Sequence, residues 1–308
     1  MFKAMFIILQ LTLFIVIAPA LSGLISKIKN NIRMRRGQSM LQPYYNLAKL
    51  FLKREVVPET ASWIFKLTPF VVFASMLVSA LLIPVFGLSS PVYQMGDFLV
   101  LIFIFSLGRF FLALSALDTG SCFGGMGASR EMFISSLVEP AFCMAVFALF
   151  LQSGSTDISA FGSGGHAISV SAIVATITLF LVSIAETSRI PVDNQETHLE
   201  LTMVHEAMVL EYSGRSLALI EMAACIKQMI LFLLISQIIF PICLPVYTNL
   251  PQILFWFFWY LARIIIIAIA VALVEVSVAK MRLFRVADFL ALAFVLGVIA
   301  SVCAILGV

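Results

Sequence analysis

The stretch Phe289-Leu-Ala-Leu-Ala-Phe-Val-Leu-Gly-Val-Ile-Ala-Ser-Val-Cys-Ala-Ile-Leu306 holds eighteen consecutive residues without a charged side chain. The hydrocarbon core of a bilayer is about 30 Å thick, and a helix crosses it with about 20 apolar residues. The run therefore reads as a membrane span, placed over 287–307. Seven windows of the same kind precede it, at 4–25, 67–88, 97–117, 131–151, 168–185, 218–245 and 252–275. The expected fold class is all-α, a polytopic membrane protein of about eight transmembrane helices. Barrel strands would need apolar and polar residues in alternation, which these runs lack. The first window follows Lys3 and has small residues around Ala18-Pro19-Ala20, as a cleaved signal segment does. Its apolar run continues to Ile25 and leads into a basic loop, so it reads as an anchor.

Composition agrees. Of 308 residues, 62% are hydrophobic and 11% charged, with mean hydropathy +1.11; a soluble domain has about a quarter of its residues charged. A water-soluble globular chain is excluded. The 28 Phe exclude disorder, and five Cys are too few for a disulfide scaffold. No Cys-x-x-Cys spacing occurs, and His205-Glu206 has no second His four positions on. No protein-ligated iron–sulfur cluster or zinc is expected on this chain, so any metal redox centre is expected in another subunit. Residues 152–167 are Gly/Ser-rich without a Gly-Lys-Ser/Thr and read as a connector.

Basic residues sort by side. The loops after spans one, three, five and seven carry nine, one, two and three Lys or Arg, while the other side carries Lys3 alone. The positive-inside rule then places these loops in the cytoplasm and both termini on the non-cytoplasmic side. The chain reads as one transmembrane domain, 1–308, with two large cytoplasmic loops of opposite charge. Loop 26–66 has a net charge of +7 and carries Leu47, Leu50 and Phe51 at helical spacing; loop 186–215 has a net of −4. Attraction to anionic headgroups and topology signalling explain the basic loop as well as a partner would. The acidic loop interleaves charges with Leu199, Leu201, Met203, Val204, Met208, Val209 and Leu210, which suits an amphipathic segment lying on the protein or on a partner. Pro191 is placed to end the preceding helix, and Asp193 to cap a new one with Glu196 at the capping-box position. Glu196 and Glu200 would share a helix face. Neighbouring carboxylates hinder each other's ionisation, a property of proton carriers near neutral pH; solvated charge is the plainer alternative.

An ionisable side chain deep in a span costs about 3 kcal/mol on insertion scales, which makes each one a functional candidate. Here they are Arg109, Glu139, Glu221, Lys227, Arg263 and Glu275. Glu221 and Glu275 lie nearer span ends, where snorkelling is the alternative. Lys227 and Arg263 are candidates to pair with the carboxylates and hold the bundle.

Glu186-Thr-Ser-Arg-Ile-Pro-Val-Asp193, Glu196, Glu200-Leu201 and Glu211-Tyr-Ser-Gly214 resemble the signature of the membrane-anchor subunit family shared by respiratory complex I (NADH dehydrogenase subunit 1) and energy-converting nickel–iron hydrogenases. Arg35-Arg36-Gly37, Leu41-Gln42-Pro43, Lys49-Leu50, Lys53-Arg54-Glu55 and Pro58 resemble that family's first cytoplasmic loop. Leu117-Asp118-Thr119-Gly120-Ser121, Gly127-Ala128-Ser129-Arg130-Glu131 and Val138-Glu139-Pro140 look like its formate hydrogenlyase and hydrogenase-4 branch. The sequence departs from the family pattern at Gln38 and His198.

The resemblance implies a subunit that is not catalytic alone, docks a hydrophilic redox arm and couples electron transfer to proton translocation. It implies a proton path through Glu139, Glu186, Glu196, Glu200 and Glu221. It also implies an arm-docking or quinone-cavity surface through Arg35, Arg36, Arg189, Asp193 and Glu211. No cofactor is expected on this chain; a nickel–iron centre and iron–sulfur clusters are expected in partner subunits, with quinone binding left open. The implied partners are hydrogenase-like large and small iron–sulfur subunits, antiporter-like membrane subunits and the lipid bilayer, with no nucleic acid. The implied location is a bacterial or archaeal cytoplasmic (inner) membrane. The alternative reading is a complex I-type subunit that forms a quinone cavity.

Overall fold

The structure, a computed structural model, describes residues 2–84, 96–158, 169–193, 203–240 and 250–307. Its helices are α1 (Phe2–Ile32), α2 (Gln42–Leu52), α3 (Trp63–Leu82), α4 (Phe98–Asp118), α5 (Cys122–Ser153), α6 (Val170–Glu186), α7 (His205–Val209), α8 (Gly214–Ile239), α9 (Leu250–Ser277) and α10 (Leu283–Leu306). Among the described residues the only extended pairing is an isolated bridge between Asp97 and Asp157. Seven helices, α1, α3, α4, α5, α8, α9 and α10, are long and apolar enough to cross a membrane. Helix α6 has 17 residues, the short end of what spans about 30 Å. Each of the eight expected windows is occupied by one of these helices, and the chain is a multi-pass membrane protein.

Boundaries differ where polar residues are helical. Helix α1 continues past Ile25 to Ile32, because Lys29 turns inward, 5% exposed, instead of joining the basic loop. Helix α5 starts at Cys122, well before Glu131, through the small residues Gly124, Gly127 and Ala128, which pack inward. Hydroxyl side chains start several helices: Ser62 accepts from the Ile64 amide, Ser121 from Gly124 and Ser169 from Ala172. Gly154, at φ 70°, ends α5 in the left-handed region.

Helix α8 is the central element, packed against α1, α2, α3, α6 and α9, while α5, α6 and α10 form a second group joined to it through α4 and α6. Small residues set the spacing. A Cβ at Gly297 would lie 3.0 Å from the Met144 Cβ, so α10 and α5 approach as closely as small-residue interfaces in membranes allow. Large apolar side chains such as Phe103, Phe110 and Ile266 point outward, as expected where the surroundings are hydrocarbon.

Candidate functional site

Arg109 lies nine residues before the end of α4, on its buried face. Its guanidinium fork serves two helices. Nη1 donates to Glu186 Oε1 at 2.7 Å, and Nη2 donates to Glu139 Oε1 at 2.6 Å. The Ser106 hydroxyl, one turn back, donates to the same Glu139 oxygen at 2.6 Å. Glu186 is the last residue of α6, and its other oxygen stands 2.5 Å from Lys227 Nζ on α8. The next residue of α8, Gln228, accepts from Arg189 Nη2 at 2.9 Å, and Arg189 Nη1 donates to Glu275 Oε1 on α9 at 2.6 Å. Lys29 of α1 reaches the other Glu275 oxygen at 3.2 Å.

One row of charge thus runs Glu139, Arg109, Glu186, Lys227, then through Gln228 to Arg189, Glu275 and Lys29. It joins α5, α4, α6, α8, α9 and α1. Lys227 lies about 20 Å along α8 from its start, at about 1.5 Å per residue, so the row reaches well into the bundle. The Glu186 and Glu275 side chains are 1% and 3% exposed, whereas Glu139 is 40% exposed. Buried charges persist only with partners that replace hydration, and every member of this row has one.

Beside the row lies a cavity of about 100 Å³. Arg109, Glu131, Glu186, Arg189, Lys227 and Gln228 contribute its charged and amide walls, and His205 at the start of α7 closes one side. Burial pushes the His205 imidazole below its ordinary value; Lys227 adds to that effect, while Glu206 and Asp193 oppose it. His205 is accordingly neutral at pH 7.

The positions singled out from sequence separate clearly. Glu139, Glu186 and Arg189 meet in the row. Arg189 therefore faces the interior, where it lines the cavity beside the row. Asp193 is 1% exposed and fully engaged, accepting from Lys280 Nζ at 2.7 Å and from the Val204 amide at 3.1 Å. That second bond ties it to the start of α7; the helix expected to begin at Asp193, with Glu196 at its capping-box position, falls outside the described residues. Arg35 and Arg36 are exposed between α1 and α2, and Glu211 is half-buried. Glu221 is exposed on α8 rather than buried among the helices. Glu196, His198 and Glu200 lie outside the described residues. Arg263, fully buried, donates to the Phe240 carbonyl at 2.8 Å. Sequence reasoning missed Glu131, Lys29, Ser106 and Gln228. For Lys29 the available signal was Glu275, a carboxylate near the matching end of a span.

The Glu211-Tyr-Ser-Gly214 segment acts as a clasp. Tyr212 stacks on Phe65 with ring centroids 4.0 Å apart and donates its hydroxyl to the Phe65 carbonyl at 3.0 Å. Burial pushes this phenol up to about 12. Ser213 Oγ accepts from the Val56 amide at 2.8 Å and donates to the Val56 carbonyl at 3.1 Å. Gly214 has φ 54°, and a Cβ there would sit 2.8 Å from the Arg54 carbonyl oxygen. The basic and acidic segments are joined at this point. Gly214→Ala is expected to cost about 1–3 kcal/mol through backbone strain and the forced shift of the 53–54 carbonyls, read as a lower Tm of the purified chain in detergent.

The chain is 31% identical over 304 residues to hydrogenase-4 component C of Escherichia coli (strain K12), covering 98% of this chain and 96% of that protein. It is 30% identical over 280 residues to formate hydrogenlyase subunit 4 of the same organism, covering 90% of each. In fold it matches a chain of the membrane-bound sulfane sulfur reductase, an archaeal respiratory membrane complex, with TM-score 0.82 at 18% identity over 97% of this chain and 99% of that one. The model of one family, NADH dehydrogenase, matches residues 4–306. Eight apolar helices around a shared row of buried charge, the signature segments at the junction of the two loops, and a match over nearly the whole length agree: this chain belongs to the NADH dehydrogenase family.

Proposed function

We propose that the chain is the non-catalytic membrane anchor of a hydrogenase-type complex, docking a hydrophilic redox arm and coupling its electron transfer to proton translocation. The observation that carries this reading is the row from Glu139 to Lys29. A structural bundle has no need of several ionised side chains on six helices, since apolar replacements of similar volume are often as stable. Charges retained in one connected row beside a cavity are suited to biasing proton movement when a neighbouring charge changes. In this reading the ends bearing Arg35, Arg36, Arg130, Arg215 and Arg282 face the cytoplasm, in a bacterial or archaeal cytoplasmic membrane. The arm docks on that face against the exposed Arg35 and Arg36 and the half-buried Glu211.

The partners in this reading are large and small hydrogenase-like subunits that carry the nickel–iron centre and iron–sulfur clusters, together with antiporter-like membrane subunits. The hydrogenase-type branch is supported by near full-length likeness to hydrogenase-4 component C and formate hydrogenlyase subunit 4. A quinone site in the cavity beside the row is less well supported, because its roughly 100 Å³ falls below the ~300–1,000 Å³ of ordinary ligand pockets.

The test is purification of the tagged full-length chain from its native membrane in mild detergent, with metal analysis and assays of hydrogen and quinone turnover. Co-purifying iron–sulfur subunits with nickel and hydrogen turnover are expected. Quinone turnover without hydrogen chemistry would replace this reading with the complex I-type one, and a chain that purifies alone would overturn both.

A further inference from the structure

The row's carboxylates are held unequally. Glu139 accepts from Arg109 and Ser106, Glu186 from Arg109 with Lys227 beside it, and Glu275 from Arg189 and Lys29. Each has a cation within 3.2 Å, and protonating it would break that contact. Glu131 is different. It stands on α5 in the wall of the same cavity, and among the described residues it makes no hydrogen bond or ion pair.

Its surroundings are electrostatic rather than bonded. Arg109 on α4 and Lys227 on α8 attract its charge, while Glu186 on α6 and Asp193 beyond α6 repel it. From α7, His205 shares the cavity wall. Helix α10, also packed on α5, has no charged residue after Asp288.

The charge count gives this difference a consequence. Arg109, Lys227, Arg189 and Lys29 supply four positive charges, and Glu139, Glu186 and Glu275 supply three negative ones. An ionised Glu131 brings the cluster to neutrality, and a protonated Glu131 leaves it at +1. Glu131 is thus the carboxylate that can change protonation without dismantling an ion pair. The cavity beside it, mostly apolar in its wall but carrying these charged and amide side chains, is wide enough for ordered water, and Gln228, whose amide nitrogen is buried and without an acceptor, lines it as well.

We propose that Glu131 is the proton-exchanging group of this cavity, with Glu139, Glu186 and Glu275 remaining ionised as fixed counter-charges. In the uptake step the Glu131 carboxylate takes a proton from solvent and becomes a neutral acid; release to solvent restores the carboxylate, with no change in oxidation state. His205, neutral and on the same wall, is placed to pass that proton. The inference rests on the proposed coupling role for its biological purpose, but not for its chemistry.

The experiment is infrared difference spectroscopy of the carboxylic-acid C=O stretch in the intact complex in native membranes, between acid and alkaline buffer and with deuterium exchange. Proton translocation into vesicles is measured in parallel. Loss of the exchangeable carboxylic-acid band in Glu131→Gln, its retention in Glu139→Gln and its return, shifted, in Glu131→Asp are expected, together with loss of translocation in Glu131→Gln. A band that survives Glu131→Gln, or disappears only in Glu186→Gln, overturns the assignment. If the wild-type complex translocates no protons while the band still follows Glu131, the assignment stands and the coupling role fails. Should Glu131→Gln fail to assemble, the shift of the band in Glu131→Asp decides the matter.

Discussion

Replacing Glu186 with leucine is expected to stop the chain from accumulating in the membrane. Glu186 is shared by Arg109 at 2.7 Å and Lys227 at 2.5 Å, and its side chain is 1% exposed. Leucine strands Lys227 and leaves Arg109 with Glu139 alone, and stranding even one buried charge costs about 3–5 kcal/mol. That is a large part of the stability of any domain. The measurement is the amount of full-length chain in isolated membranes, with Tm in detergent for whatever is recovered. Glu186→Gln, which keeps an oxygen acceptor for Arg109, is expected to lose less. If Glu186 served only to relay protons, Glu186→Leu would accumulate normally and only translocation would fall.

The second large effect is expected at Arg189. Arg189→Met leaves Glu275 with Lys29 alone, at 3.2 Å, and removes the donor to Gln228. A loss of about 3 kcal/mol or more is expected, from the same stranding of buried charge. Arg189→Met combined with Glu275→Met should lose less than the two single changes added together, because the second removes the charge the first exposed. Thermal unfolding of the wild type and the three variants in one detergent measures that coupling. Were Arg189 a docking residue on the cytoplasmic face, Arg189→Met would keep its Tm, and only retention of the hydrophilic arm would change.

The two predictions rest on pairings that could not be read along the chain. Apolar windows marked every spanning helix because the bilayer demands about 20 apolar residues wherever it is crossed. The charged side chains inside those windows were also visible, since each one is costly there. What stayed hidden was their partnership. Arg109 meets a carboxylate 77 residues away and Lys29 one 246 residues away, separations over which spacing carries no signal. Lys29 was masked by the basic residues around it, which all served the topology signal equally well. Glu131 sat at the first position of an expected span, because the small, polar stretch from Cys122 that continues its helix is not apolar. Arg189 lay in a recognisable motif, but a motif shows which residues occur together, not whether they face partner or core. The clasp at Tyr212 and Gly214 shows the same: the signature residues fix the join between two loops.

The most direct test of the account is the number of protons translocated per electron by the complex in inverted native-membrane vesicles, comparing wild type with Glu139→Gln. Glu139 ends the row where it is 40% exposed, so this variant disturbs the row with the smallest expected loss of folding. Electron transfer that continues while the proton-to-electron ratio falls is the predicted result. An unchanged ratio in an assembled variant would mean that the row holds the helices together and carries no coupling.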